Sequence, residues 1–367
     1  LFNRTDDKIT TSQAGVFLTN TVLGAGILTM PRSITQDMKT PDSWLTILLG
    51  GIIVMLAILL MVKLSQQFPG QTVFQYAGRI AGKFPSKVLC LLLVVYFILI
   101  AGFEIRSLAE VTLFFLLEGT PIWAVILPFI WVGTYLVLGG INSIARVFQI
   151  IFPITILVLL ASYGFSLRLF DINNLRPVLG SGVLPVLHGL KSSVLVYTGC
   201  EVVMTLVAFM QHPHQAVKAM MGGIAIPFAL YFLTIVFVIG GLTADAVITS
   251  TWPTIDLIRS FEYTGFFVER LEFPLMVIWL MQMFCNFCSF FFQASLGVSQ
   301  LFKFSITSVI YVMVPLIFLA AMVPKSIQDV FALGDAIGTM GLTLFLLLPV
   351  LLSFIWIIRK KGLKQHV

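Results

Sequence analysis

Ten apolar runs occupy most of this chain. They lie near residues 10–31, 43–64, 86–117, 121–139, 145–166, 184–210, 216–242, 273–301, 304–323 and 336–358. A helix needs about 20 such residues to cross ~30 Å of hydrocarbon. Within hydrocarbon each backbone polar group must find its partner inside the protein, so runs of this kind become helices. Composition agrees: 59% of the residues are hydrophobic and 10% charged, with a mean hydropathy of +1.03, whereas a soluble domain carries about 25% charged residues. The expected fold class is an all-α polytopic membrane protein of ten transmembrane helices, with residues 1–367 as a single transmembrane domain. Turn residues punctuate the runs, as at Pro69-Gly70, Gly119-Thr120-Pro121 and His212-Pro213-His214. The longest polar connection, 243–272, is expected to hold a short surface helix over one mouth of the protein. No basic stretch leads into a small-residue cleavage site, so a cleavable signal peptide is not expected.

The net charge of +6 reports topology rather than a partner. Ten spans put both termini on one side. That side carries Arg4, Lys8, Lys63, Arg79, Lys83, Lys87, Arg146, Lys218, Lys303 and the tail Arg359, Lys360, Lys361 and Lys364. The other side carries eight: Arg32, Lys39, Arg168, Arg176, Lys191, Arg259, Arg270 and Lys325. The excess of cations marks the cytoplasmic face, so both termini are expected there and the 243–272 connection outside. No nucleic-acid partner is implied; membrane lipid is. Cys285 and Cys288 form a C-x-x-C inside an apolar helix with no histidine or carboxylate beside it, which reads as packing. No cofactor or metal site is expected. The chain has no phosphate loop, no H-E-x-x-H and no G-x-S-x-G, so no enzymatic activity is expected.

The first span is interrupted. It reads Thr19-Asn20-Thr21-Val22-Leu23-Gly24-Ala25-Gly26. Glycine costs a helix roughly 1 kcal/mol relative to alanine, so two around one small residue favour a break. The break either lets a neighbour pack closely or lines a cavity. The sixth span repeats it as Tyr197-Thr198-Gly199-Cys200-Glu201. Each break leads a five-span half, 10–166 and 184–358. Five is odd, so the second half enters from the opposite side. That is a five-plus-five inverted repeat with helices one and six broken, the pattern that points to a midplane binding site.

Several polar residues lie at membrane depth, where ionisable groups are functional candidates. Glu201 follows the second break directly. It can receive an ammonium or a cation, or it can seal the unwound turn by accepting its amides. In span three, Arg106 and Glu110 are spaced to pair. Glu104 lies on another face with Ile100 and Ser107 and can point at a cavity; Tyr96 shares its side. Span eight carries Gln282, Asn286, Ser289 and Gln293 in one stripe, which either bonds to neighbouring helices or lines a wet path. Phe290, Phe291 and Phe292 read as packing. Helix-start amides near Gly24 and Gly26 suit a carboxylate, while free carbonyls and Glu201 suit an ammonium. Together they describe a site for an amino-acid-sized zwitterion; a sugar or nucleoside fits as well.

The ten spans, the Gly-x-Gly of the first and Tyr-Thr-Gly-Cys-Glu of the sixth resemble the amino acid–polyamine–organocation transporter superfamily. More narrowly, Gly24-Ala25-Gly26-Ile27-Leu28-Thr29-Met30-Pro31-Arg32, Phe261-Glu262-Tyr263 and Val268-Glu269-Arg270-Leu271-Glu272 resemble the B-subunit family of spore germinant receptors. The resemblance implies a nutrient sensor in the spore inner membrane. Its implied partners are a receptor A subunit and a C-subunit lipoprotein. It places a ligand pocket between spans one, three, six and eight, at Asn20, Thr21, Gly24, Gly26, Ile100, Glu104, Tyr197, Gly199, Asn286 and Phe290. An amino-acid or cation transporter of the same fold, or a ligand-gated ion or water conduit, remains open at this point. Span five has no charge between Val147 and Phe165, so proton coupling would need Glu201 or Glu104.

Overall fold

A computed structural model describes residues 7–24, 26–260 and 272–364. Helix α1 (Thr11–Val22) starts where Thr10 and Gln13 close a capping box. It ends at Leu23, and α2 (Gly26–Met38) leaves at an angle of 53°. Then come α3 (Ser43–Gln66), the short α4 (Val73–Ala81), α5 (Lys83–Phe115), α6 (Ile122–Leu138) and α7 (Gly140–Ser166). The second break separates α8 (Leu184–His188) and α9 (Leu190–Leu195) from α10 (Val203–Phe209), with a bend of 52°. The chain continues with α11 (Ala216–Leu242), α12 (Ala244–Thr249), α13 (Pro253–Arg259), α14 (Glu272–Phe302), α15 (Ile306–Met322) and α16 (Ile327–Lys364).

Among the described residues six helices are long and apolar enough to cross a membrane, and counting each bent pair as one span makes eight. Helices α6 and α15 are apolar but 17 residues long, roughly 26 Å at 1.5 Å per residue. Reading those two as crossings gives the ten expected from sequence. The helices depart from the apolar runs at several places. The first span extends to Met38, past Arg32. The last starts at Ile327 and therefore includes Asp335. Helix α4, between the second and third spans, buries one face through Val73, Phe74, Tyr76, Ala77 and Ile80; its nine residues are too short for a hydropathy window set to find spans. The 243–272 connection carries two short helices, α12 and α13, both packed on α2. The motif residues 261–271 lie outside the described residues.

The two broken spans occupy the centre of the bundle. Helices α5 and α14 pack along each other, and α14 also lies against α1 and α7. Outward-facing Leu56, Trp131, Leu157 and Leu347 are each more than 60% exposed. On a membrane protein that apolar surface faces lipid. Proline sits inside α2, α6, α7, α11, α15 and α16, as membrane helices tolerate when neighbours satisfy the freed carbonyl.

Candidate functional site

The two breaks interlock. Gly199 has φ +108°, in the region open to glycine, and a Cβ built there would lie 2.7 Å from the Thr21 carbonyl oxygen. In return, a Cβ on Gly26 would come within 3.0 Å of Val196 in the second break. Each glycine lets one unwound turn sit on the other. At their far ends the same spans are tied by backbone: Ile9 N–H donates to Phe209 O at 2.8 Å, and Gln211 N–H to Ile9 O at 2.9 Å.

Side chains take up most of the carbonyls that the first break exposes. Gln282 donates to Asn20 O at 2.7 Å, Tyr231 to Val22 O at 2.6 Å and Asn286 to Leu23 O at 3.2 Å. Thr254, on α13, donates to Ile27 O at 2.9 Å. The polar stripe of α14 is therefore a splice. Thr155 donates to Gln282, Thr21 to Ser289 and Thr205 to Gln293. All four stripe residues are buried, so of the two readings open from sequence, bonding to neighbouring helices is the one realised.

Glu201 also seals rather than faces outward. Tyr96 donates its hydroxyl to one carboxyl oxygen at 2.7 Å, and the Gly199 N–H donates to the other at 2.9 Å. Its place two residues after a left-handed glycine folds the carboxyl back onto that amide. Arg106 binds Glu110 through Nε and a terminal nitrogen, both at 2.9 Å, and donates to Ala321 O. That pair ties α5 to α15.

What remains open is a cavity of about 190 Å³ beside the first break. Of the residues expected at the site, Thr21, Gly24, Gly26, Ile100, Glu104 and Asn286 line it. Asn20, Tyr197, Gly199, Glu201 and Phe290 do not. Asn20 donates to Val16 O and Phe148 O. Phe290 stacks on Phe97 and lies under Gly199, and Tyr197 packs edge-on against Tyr231. Glu104 and Asn286 converge over Gly24: a Cβ there would strike the Asn286 amide and stand 3.5 Å from Glu104 Oε1. Glu104 Oε2 and Asn286 Oδ1 are buried and have no hydrogen-bond partner. Polar atoms left like this cost about 1–3 kcal/mol each, which a ligand donor would recover.

Helix α16 supplies a wall that the sequence reading left out: Phe331, Gly334, Asp335, Ile337 and Gly338. The available signal was glycine at 334, 338 and 341, helical spacing on one face, next to an acid. Phe103 and Phe331 separate the cavity from a smaller one of about 60 Å³ that Trp252 and Trp279 help to line. Trp252 packs on Phe331 with ring centroids 6.2 Å apart. The start of α13 thus touches the aromatic partition beside the cavity.

Known proteins resemble this chain in sequence and in fold. Among solved structures, MhsT in complex with L-phenylalanine superposes with a TM-score of 0.73 at 13% identity, covering 95% of this chain and 88% of that one. Mhp1, a nucleobase-cation-symport-1 family transporter in a closed conformation, gives 0.62 at 16% identity, covering 93% and 79%. These likenesses establish a transporter-type fold. By sequence, the chain is 44% identical to the spore germination protein YndE of Bacillus subtilis (strain 168) over 357 residues, covering 97% of this chain and 98% of that protein. It is 37% identical to spore germination protein A2 of the same organism, covering 96% and 97%. Residues 8–330 match the family model described as spore germination protein. Since that match takes in both breaks and the cavity walls up to Val330, this multi-pass membrane protein belongs to the spore germination protein family.

Proposed function

We propose that this protein is the B-type, nutrient-sensing subunit of a spore germinant receptor, and that the cavity beside Gly24 binds the nutrient without chemical conversion. The observation that carries this reading is the pair of orphaned acceptors, Glu104 Oε2 and Asn286 Oδ1, at a cavity wall in a family of spore germination proteins. Binding completes their hydrogen bonds. A ligand shifts an equilibrium only if it binds the two states differently. The broken spans are the hinges that would provide those states, closing α2 and α9 over the ligand while the Ile9–Phe209 bridge holds the opposite end. Residues 10–166 and 184–358 act as the two inverted halves. A receptor A subunit and a C-subunit lipoprotein are the partners, the spore inner membrane is the location, and both termini face the cytoplasm, in keeping with the thirteen cations on that side.

Direct binding of a nutrient by the purified protein, matched by loss of germination on that nutrient when the gene is deleted, tests the proposal. A second reading is favoured by the fold shared with MhsT and Mhp1: solute transport through the same cavity. Uptake of radiolabelled nutrient by proteoliposomes, with germination of the deletion strain unchanged, would overturn the sensor in favour of the transporter.

A further inference from the structure

We infer that the ligand of the Gly24 cavity is an organic cation of net positive charge, such as a basic amino acid or a diamine. This rests on the reading of that cavity as the ligand site. The argument is one of charge. Two carboxyl side chains line the cavity, Glu104 and Asp335, and among the described residues that line it there is no lysine, arginine or histidine. Arg106 is paired with Glu110, and Arg32 and Lys191 are not on the wall.

The two acids come from different helices, α5 and α16. Glu104 is 6% exposed, with Oε2 unpartnered. Asp335 is exposed on α16 and its side chain has no hydrogen bond or ion pair among the described residues. Asn286 adds an independent observation. It is fully buried on the cavity wall, its Nδ2 donates to Leu23 O, and its Oδ1 has no hydrogen-bond partner. The two unpartnered oxygens suit an ammonium with several N–H donors. A zwitterion could place its ammonium there and its carboxylate at the first turn of α2, which begins at Gly26 on the wall. That would leave Asp335, on the same wall, with no cationic group of the ligand to face it. A ligand with a second cationic group supplies one.

Thermal unfolding of the purified full-length protein in detergent tests this with L-lysine, L-arginine and putrescine against L-alanine, L-glutamate and D-glucose. The three cations are expected to raise the unfolding midpoint, and the other three to leave it unchanged. Glu104→Gln should abolish the lysine effect. Asp335→Asn, at an exposed position where folding is not at issue, should weaken lysine by up to about fivefold, the equivalent of one lost exposed ion contact. If alanine or glucose stabilises as well as lysine and Gly24→Leu removes that effect, the cavity stays the ligand site and the cation inference falls. Equal stabilisation by sodium chloride alone overturns it too. If none of the six probes acts and Gly24→Leu leaves germination on every nutrient intact, the site reading itself falls.

Discussion

Gly199 stands so close to Thr21 that even one added methyl group would meet the Thr21 carbonyl oxygen at 2.7 Å. The obstacle is backbone, which cannot step aside as a side-chain tip can. Gly199 also holds φ +108°. A non-glycine residue in such a region costs of order 1–3 kcal/mol. Gly199→Ala is therefore expected to lower the unfolding temperature in detergent, and Gly199→Leu to abolish nutrient response while the protein still inserts into membranes. A Gly199→Leu variant with normal dose–response would remove the interlocked breaks from the mechanism.

Glu201 and Glu104 make a contrasting pair for charge removal. Both oxygens of Glu201 accept hydrogen bonds, from Tyr96 and from the Gly199 amide. An amide in its place must turn its NH2 toward one of those donors, at a cost of about 1–3 kcal/mol. Glu201→Gln should thus reduce thermal stability more than ligand affinity. Glu104→Gln should do the reverse, because Glu104 lines the cavity and its Oε2 has no hydrogen-bond partner to lose. Unfolding curves and ligand titrations on the two variants separate the roles; equal loss of affinity in both would put Glu201 back at the ligand.

The α14 stripe holds helices together, so its loss should show as instability. Gln282 donates to Asn20 O and accepts from Thr155. Gln282→Met leaves that carbonyl unpaired in an apolar setting and is expected to destabilise by about 1–3 kcal/mol. Gln293, which accepts from Thr205, provides the check on conduction. Gln293→Leu should leave the water permeability of proteoliposomes unchanged. A drop in swelling rate would mark the stripe as a wet path after all.

Thr254 couples the outer helices to the first turn of α2 through its bond to Ile27 O. Thr254→Val keeps the shape and removes the donor, at a net cost of about 1 kcal/mol. That energy corresponds to a shift of roughly fivefold in an equilibrium. The nutrient concentration for half-maximal germination is expected to rise by that order. An unchanged curve would mean that α13 does not bear on ligand closure.

Hydrophobicity and charge in the sequence determined the membrane class, the approximate spans and the two breaks, because a bilayer imposes a length and depth that apolar runs must match. Glycine at 24, 26 and 199 marked where helices stop, since the backbone cost is local. What each polar group then does was not local. Glu201 and Glu104 look alike as buried acids in apolar runs, yet one closes a turn and the other fronts a cavity. The difference lies in Tyr96, Gly199 and Asn286, brought together from three separate spans. The α14 stripe could be read as path or splice until the carbonyls of Asn20 and Leu23 were set against it. Asp335 fell one residue before the window that defined the last span, and only the packing of α16 against Phe103 and Tyr96 carries it to the wall. Sequence patterns record the distance of a residue from its neighbours along the chain. The partner that satisfies a buried oxygen, or leaves it free for a ligand, is decided by helices remote in sequence, and so by the tertiary structure alone.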